Sequence, residues 1–188
     1  MPKKSINKKA KILSKLKREV EKCQLCPLSK NRTKVVFGAG LPTTKIMFIS
    51  EAPGFWEDQK GLPFAGRAGQ LLDELLASIG LKRKEIYIAN VIKCRPPKNR
   101  KPTKKETEAC LPYLKSQIEI VNPQKFILLG EIAFKVFFPR KKLNYFRGKW
   151  LQKGNKKFFA TYHPAAGLRF PKIREILEKD FIKIKRLT

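Results

Sequence analysis

The sequence contains no apolar run long enough to cross a bilayer, which takes about 18 consecutive residues. Its lysine-rich N-terminus is not followed by the apolar segment and small-residue cleavage site of a secretory signal. Histidine is nearly absent, with one residue in 188, and cysteine is scarce, with four. These absences argue against a membrane-spanning or secreted protein, and we expect a cytoplasmic one.

Acidic residues are also scarce, since 15 Asp and Glu stand against 43 Lys and Arg and give a formal net charge of +28. The basic excess is concentrated in residues 3–34, 93–105 and 140–157, and the last two tracts contain no acidic residue. A charge of this size repels itself unless a polyanion is the usual partner. The composition therefore favours a nucleic-acid-binding protein.

The length and apolar content predict one compact domain. A chain of 188 residues with 42% hydrophobic residues can bury a substantial core. Near the N-terminus, Ile12, Leu13, Leu16 and Val20 recur at helical spacing. We expect a single domain over residues 1–188 that begins with a basic amphipathic helix at about residues 8–22.

Four short β-type runs alternate with helical patterns along the rest of the chain. The helical patterns include an apolar stripe from Leu71 to Ile79, a capping box formed by Thr103 and Glu106, and a C-terminal amphipathic segment. This alternation predicts an α/β fold, a three-layer α/β/α sandwich with a central, mostly parallel four-stranded sheet. The predicted strands are residues 45–50, 86–90, 126–129 and 158–161.

Polar side chains stand where three of these strands end. Glu51 follows the first strand, Asn90 ends the second, and His163 comes shortly after the fourth. Ligands of such sheets bind outside the carboxyl ends of the strands. The sequence therefore predicts a site in which a carboxylate, an amide and the only imidazole of the chain meet.

The four cysteines suggest a metal centre. Disulfides are not expected in a reducing compartment. Cys23 and Cys26 form a Cys-x-x-Cys pair, and Cys94 and Cys110 supply two more thiolates from distant parts of the chain. By ligand count, a structural zinc ion and an iron–sulfur cluster fit equally well, although the widely spaced second pair is unlike a zinc ribbon. Four buried free thiols are the remaining alternative.

Six segments, found in the same order as in a known family, carry a specific resemblance. With them, the chain resembles the family 4 uracil-DNA glycosylases of thermophilic bacteria and archaea over residues from about 20 to 170. The segments are Cys23–Cys26, Glu51–Asp58, Gly61–Asp73, Asn90–Pro97, Cys110–Tyr113 and Tyr162–Ala165.

The resemblance implies a monofunctional DNA glycosylase of the prokaryotic cytosol, acting in base excision repair. Such an enzyme flips uracil out of single- or double-stranded DNA and hydrolyses its N-glycosidic bond. The resemblance also implies the sandwich fold predicted above and a [4Fe–4S] cluster. The expected cluster ligands are Cys23, Cys26, Cys94 and Cys110.

The base pocket can be argued from the hydrogen-bonding groups of uracil as well as from the resemblance. Uracil presents an N3–H donor next to the O4 acceptor, and the Asn90 amide matches both, whereas cytosine inverts the pattern. The resemblance implies that Phe64 stacks on the base and that Glu57 lies near its C5 edge, where thymine carries a methyl group. The backbone at Ala52 and Gly54 should also face the base.

The resemblance implies two catalytic residues. Glu51 would position or activate water and stabilise the cationic sugar, and His163 would donate a hydrogen bond to the departing uracil. Because the surroundings are strongly cationic, we expect the imidazole to be neutral at pH 7.

Two positions depart from the family pattern. Ser50 stands where the family usually has glycine, so the backbone approach beside Glu51 is expected to differ. After the Tyr162–Ala165 segment, the chain reads Gly167-Leu168-Arg169 where a longer apolar pair is common. We expect Leu168 to wedge into the gap left by the flipped base and Arg169 to contact phosphate.

Three other functions were weighed. A related glycosylase that captures uracil covalently needs a second histidine in an extra loop, which this chain lacks. A cluster-bearing protein that only binds DNA would not need Glu51, Asn90 and His163 at separate strand ends, and neither would an electron-transfer protein. We expect a monomer; a sliding clamp is a candidate partner, although the sequence shows no clamp-binding motif.

Overall fold

The computed structural model describes residues 2–185, which form eight helices and six strands. No helix in this range is long and apolar enough to cross a membrane. The helices are α1 Pro2–Glu21, α2 Phe55–Lys60, α3 Arg67–Ser78, α4 Lys104–Val121, α5 Glu131–Phe137, α6 Leu143–Phe146, α7 Pro164–Gly167 and α8 Pro171–Lys185. The strands are β1 Ala39–Gly40, β2 Ile46–Ser50, β3 Tyr87–Asn90, β4 Lys125–Leu129, β5 Trp150–Lys153 and β6 Lys156–Thr161.

The strands form one sheet in the order β1-β3-β2-β4-β6-β5. The inner strands β3, β2, β4 and β6 run parallel, and the two outermost strands pair antiparallel to their neighbours. The register sets Ser50 beside Asn90 and Leu129 beside Thr161. The predicted parallel sheet is confirmed, and the four inner strands correspond to the four expected ones.

The expected strand number was wrong, because the sheet has six strands rather than four. Strand β1 is only two residues long and leaves no periodic pattern to detect. Strand β5 lies inside a basic tract and forms a hairpin with β6, in which Lys153 pairs with Lys156. Gly154 in the two-residue turn has φ of +61°, the left-handed conformation that tight hairpins need.

The apolar core is divided into two clusters, one on each face of the sheet. Alternate residues of a strand point to opposite faces, so Met47 and Ile49 belong to one cluster and Phe48 to the other. Helices α1, α4 and α5 cover the first face, and α3 and α8 cover the second. The three-layer sandwich follows from this division.

Helix ends and lengths agree partly with the sequence patterns. The Thr103 hydroxyl accepts the amide hydrogen of Glu106 at 3.2 Å, and the Glu106 carboxylate accepts that of Thr103 at 2.8 Å, so the capping box is confirmed. Helix α4 runs through Pro112 without a break. Helix α1 begins at Pro2 rather than near residue 8, and it packs against α4.

Candidate functional site

The site is a cavity of about 510 Å³ at the carboxyl ends of the parallel strands. Glu51, Asn90 and His163, which the strand ends were expected to bring together, all contribute to its wall. The other positions expected to face the base also line the cavity: Ala52, Gly54, Glu57 and Phe64. Ser50, which stands where the family usually has glycine, lines it as well. The lining residues that the sequence analysis did not predict include Pro96, Asn99, Arg100, Lys101 and Phe170.

The His163 imidazole is held through both of its ring nitrogens. The Ala165 amide donates to Nδ1 at 3.0 Å, so Nδ1 carries no hydrogen, and a neutral ring has its hydrogen on Nε2. Nε2 lies 2.8 Å from the Ser50 hydroxyl oxygen. Burial lowers the pKa of His163 to about 4, against a weaker opposing effect of the Glu57 carboxylate. The expected neutral imidazole therefore rests mainly on burial, not on the cationic surroundings invoked from sequence.

The Phe64 ring lies against this imidazole. The ring centroids are 5.4 Å apart and the planes are 16° from parallel. Phe64 has φ of +53°, and Arg83 fixes this backbone by donating to the Phe64 carbonyl at 2.7 Å. A Cβ on Gly69 would stand 1.9 Å from the same carbonyl, so the chain can pass here only with glycine.

The Glu57 carboxylate joins two loops of the cavity wall. One oxygen accepts the Gly54 amide hydrogen at 3.1 Å, and the other accepts that of Gly66 at 3.0 Å. Glu57 therefore holds the two loops together and also forms part of the cavity wall. The motif alone did not indicate the first of these roles.

The Glu51 carboxyl group is partly withdrawn from water. This burial raises its pKa, and the nearby positive charge of Lys101 partly opposes the rise. The Glu51 backbone is fixed because its carbonyl accepts the Ile92 amide hydrogen at 3.1 Å. The carboxylate is thus a stronger base than a solvated glutamate.

Asn90 is 3% exposed and is held from behind by a buried polar network. The Lys93 ammonium group, which is fully buried, donates to the Asn90 carbonyl at 2.7 Å and to Gln117 Oε1 at 2.5 Å. Gln117 in turn donates to the Phe37 carbonyl at 2.8 Å. Lys93 was counted within a basic surface tract, and its burial removes it from that surface. Burial also lowers its pKa, to about 8.

A buried carboxylate on α8 secures the strand that leads to His163. Asp180 accepts a hydrogen bond from the Thr161 hydroxyl at 2.7 Å and pairs with Arg147 at 2.8 Å. Because Thr161 is the last residue of β6, this contact fixes the position from which the His163 turn begins.

The rim of the cavity is basic and carries exposed apolar side chains. Arg169 lines the cavity, as expected for a residue near DNA, and so does Phe170, which is 56% exposed. Leu168, the expected wedge, is 39% exposed and does not belong to the cavity wall. Phe170 is therefore an additional wedge candidate that sequence reasoning missed.

The four cysteines line a second, smaller cavity. The Arg32 guanidinium donates to Cys94 Sγ at 3.3 Å, and the Lys93 backbone amide donates to Cys110 Sγ, also at 3.3 Å. Within residues 2–185, no group of three or more histidine, cysteine or acidic side chains is arranged to hold a single metal ion. The thiols thus surround a common space without converging on one point.

A cavity with Glu51, Asn90 and His163 in its wall, at the strand ends of a mostly parallel α/β sandwich, is the arrangement expected of the uracil-DNA glycosylases. Residues 37–184 match the model of the uracil DNA glycosylase superfamily. Three type-4 uracil-DNA glycosylases are similar over most of their length. The protein of Sulfurisphaera tokodaii is 45% identical over 186 residues, which cover 94% of this chain and 84% of that protein. The protein of Thermotoga maritima is 47% identical over 173 residues, with 88% and 89% covered. The protein of Saccharolobus solfataricus is 48% identical over 179 residues, with 89% and 82% covered. The chain belongs to the type-4 uracil-DNA glycosylases.

Proposed function

We propose that this protein removes uracil from DNA by hydrolysing the bond between the base and its sugar, as the first step of base excision repair. The observation that carries the proposal is the single cavity in which Glu51, Asn90 and His163 meet. Family membership supports it independently. The net charge of +28 supports DNA as the substrate.

Base recognition is assigned to Asn90 and the aromatic wall. The Asn90 amide oxygen would accept the N3–H of a flipped uracil, and its amide nitrogen would donate to O4. The hydrogen bond from Lys93 to the Asn90 backbone carbonyl supports this role, because it fixes the strand end that carries the amide. Phe64 offers a stacking surface, and the loops tied by Glu57 form the wall expected at the C5 edge, together with the backbone at Ala52 and Gly54.

The chemistry is assigned to Glu51 and His163. As the C1′–N1 bond breaks, its electron pair leaves with uracil and the sugar becomes cationic. A water molecule adds its oxygen to C1′ and gives up a proton, first to the Glu51 carboxylate and then to solvent. The uracil anion, with charge spread onto O2 and O4, takes a proton from solvent, so the products are uracil and an abasic sugar. His163 stabilises the charge on O2 as a neutral hydrogen-bond donor.

The cysteine cavity is assigned to a [4Fe–4S] cluster held by Cys23, Cys26, Cys94 and Cys110. Four thiols line one cavity, and four thiolates are the ligand set that such a cluster takes. The widely spaced second pair, Cys94 and Cys110, is unlike a zinc ribbon, and membership of the type-4 family also supports the cluster. Hydrolysis transfers no electrons, so the cluster would supply rigidity, holding the loop after Asn90 in place.

DNA is expected to bind across the cavity mouth. Arg169 and Lys101 would contact phosphates, and an apolar side chain near Arg169 would fill the gap that the flipped base leaves. We propose a monomer acting on single- or double-stranded DNA.

The test is direct excision. The purified protein is incubated with single-stranded and duplex oligonucleotides that contain one uracil, and abasic sites are revealed by alkaline cleavage. Oligonucleotides with thymine or cytosine at the same position are the matched controls. We expect cleavage of the uracil substrates alone, and a failure to produce abasic sites from either uracil substrate would refute the proposed function.

A further inference from the structure

The Ser50 hydroxyl occupies the place to which the His163 donor points. Ser50 is the last residue of β2, is 1% exposed, and forms part of the cavity wall. Its backbone is fixed, because the Ser50 carbonyl accepts the Val91 amide hydrogen at 2.8 Å. Its Oγ lies 2.8 Å from His163 Nε2. The imidazole therefore already has a partner before any base enters.

The direction of this hydrogen bond follows from the other ring nitrogen. Nδ1 accepts the Ala165 amide hydrogen at 3.0 Å, so the neutral ring has a single N–H, on Nε2, and that group donates to Ser50. A serine hydroxyl that accepts one hydrogen bond still has its own hydrogen to donate. Ser50 lines the cavity, so an acceptor that enters the cavity could take that hydrogen.

A base could engage this pair in two ways. If an acceptor displaced Ser50 from His163, the buried serine oxygen would lose its donor, which is unfavourable. If the acceptor instead took the serine hydrogen, every polar group would stay paired and the two bonds would polarise each other. The rigid strand end that carries Ser50 favours the second arrangement.

We propose that Ser50 is a further catalytic residue, whose hydroxyl donates directly to uracil O2 while His163 donates to Ser50 from behind. This inference rests on the proposed function and changes one contact within it. Charge that develops on O2 strengthens both hydrogen bonds in turn, and no proton needs to leave the imidazole. His163 then acts on the base through Ser50 and not by touching it.

The kinetic test compares Ser50→Ala, His163→Ala and the double variant in single-turnover cleavage of a uracil oligonucleotide. Ser50→Ala and His163→Ala should each slow cleavage by ~10²–10³, because His163 acts on the base only through the Ser50 hydroxyl. Because the two residues act as one unit, the double variant should be no slower than His163→Ala alone. Ser78→Ala, which removes a hydroxyl that donates to the Leu75 carbonyl away from the cavity, is the matched control and should keep the wild-type rate.

Two kinetic results overturn the proposal: a folded Ser50→Ala protein that cleaves at the wild-type rate, and losses that multiply in the double variant. Melting temperatures of all variants show whether the fold is intact.

A spectroscopic measurement tests the hydrogen bond without relying on cleavage. His163 is the only histidine, so one pair of imidazole nitrogen resonances is seen in a 15N-labelled protein. We expect a protonated Nε2 and a bare Nδ1 at pH 7, with the Nε2–H resonance shifted in Ser50→Ala. A hydrogen on Nδ1, or an Nε2–H that does not respond to Ser50→Ala, overturns the proposal. A wild-type protein that cleaves no uracil refutes the proposed function instead, and this spectrum still decides on the hydrogen bond.

Discussion

At the scale of single residues, the partly buried carboxyl group of Glu51 is expected to control how cleavage depends on pH. Its pKa lies above the usual value of 4.5 because of burial, and only the ionised form can assist water. Cleavage should therefore fall as pH decreases through this raised pKa, with a slope of about one in log rate. His163 adds no step near its usual pKa of 6.5, because burial lowers its pKa to about 4.

Single-turnover rates from pH 4 to 9, in ~0.5-unit steps, measure this acid limb. Lys101→Ala should move the limb to higher pH, because the Lys101 charge lowers the Glu51 pKa. Lys179→Ala, an exposed lysine on α8, is the control and should leave the limb in place. Glu51→Gln should remove the limb together with most of the activity. A limb that persists in Glu51→Gln assigns it to another group.

The Asn90 side chain is expected to set the choice of base. Asn90→Asp should weaken uracil cleavage and relax the discrimination against cytosine, because a protonated or rotated carboxyl can match the inverted pattern of cytosine. A single hydrogen-bond mismatch in a buried site can change discrimination by orders of magnitude. Excision rates on matched uracil and cytosine oligonucleotides provide the measurement. Unchanged uracil cleavage with undetectable cytosine cleavage would show that Asn90 does not read the base.

At the scale of elements, the turn after α7 leaves two apolar side chains exposed, those of Leu168 and Phe170. Phe170 is more exposed than Leu168 and alone lines the cavity. We expect Phe170→Ala to slow cleavage of duplex substrates by about tenfold or more and to affect single-stranded substrates less. The reason is that unpairing and unstacking a base in a duplex costs a few kcal/mol. Leu168→Ala is the matched comparison. If Leu168→Ala lowers the cleavage rate on duplex substrates more than Phe170→Ala does, then Leu168 is the wedge residue.

The segment between β3 and α4 links Asn90 to the cysteine cavity, and its stability should depend on the proposed cluster. The purified protein should be brown, with broad absorption near ~400 nm from thiolate-to-iron charge transfer. Cys94→Ala should lose this absorption and lower the melting temperature by about 5 °C or more. Iron and zinc contents are measured on the same samples. A colourless, fully active protein with stoichiometric zinc would contradict the cluster.

The elements and motifs that the sequence revealed are those that leave a local pattern. The inner strands are continuous apolar runs, and Glu51, Asn90 and His163 could be located because strand ends form sites. Strand β1 could not be found because two residues carry no period. The contact between Ser50 and His163 joins positions 113 residues apart, so no local pattern encodes it. The burial of Lys93 could not be predicted either, because its hydrogen-bond partner Gln117 lies on α4, 24 residues away along the chain.

At the scale of the whole molecule, the charge excess determines how DNA binding responds to salt. Each phosphate contact contributes about −0.9 to the slope of log affinity against log salt on duplex DNA. Several contacts from the basic tracts should give a slope steeper than about −3. Fluorescence anisotropy with Glu51→Gln and a labelled uracil duplex measures binding without cleavage. A nearly flat dependence would exclude the basic tracts as the DNA-binding surface.

The cavity lined by all four cysteines also bears on how the protein matures in the cell. Its thiols come from the segment after α1, from the segment after β3 and from α4, so Cys23 and Cys110 are separated by nearly half of the chain. A group bound to all of them restricts the unfolded chain as a cross-link does and lowers its entropy. The last ligand leaves the ribosome only after more than half of the chain has been made. If the proposed cluster binds there, its insertion would therefore be a late assembly step, and the supply of iron and sulfide would limit how quickly new chains reach their most stable form.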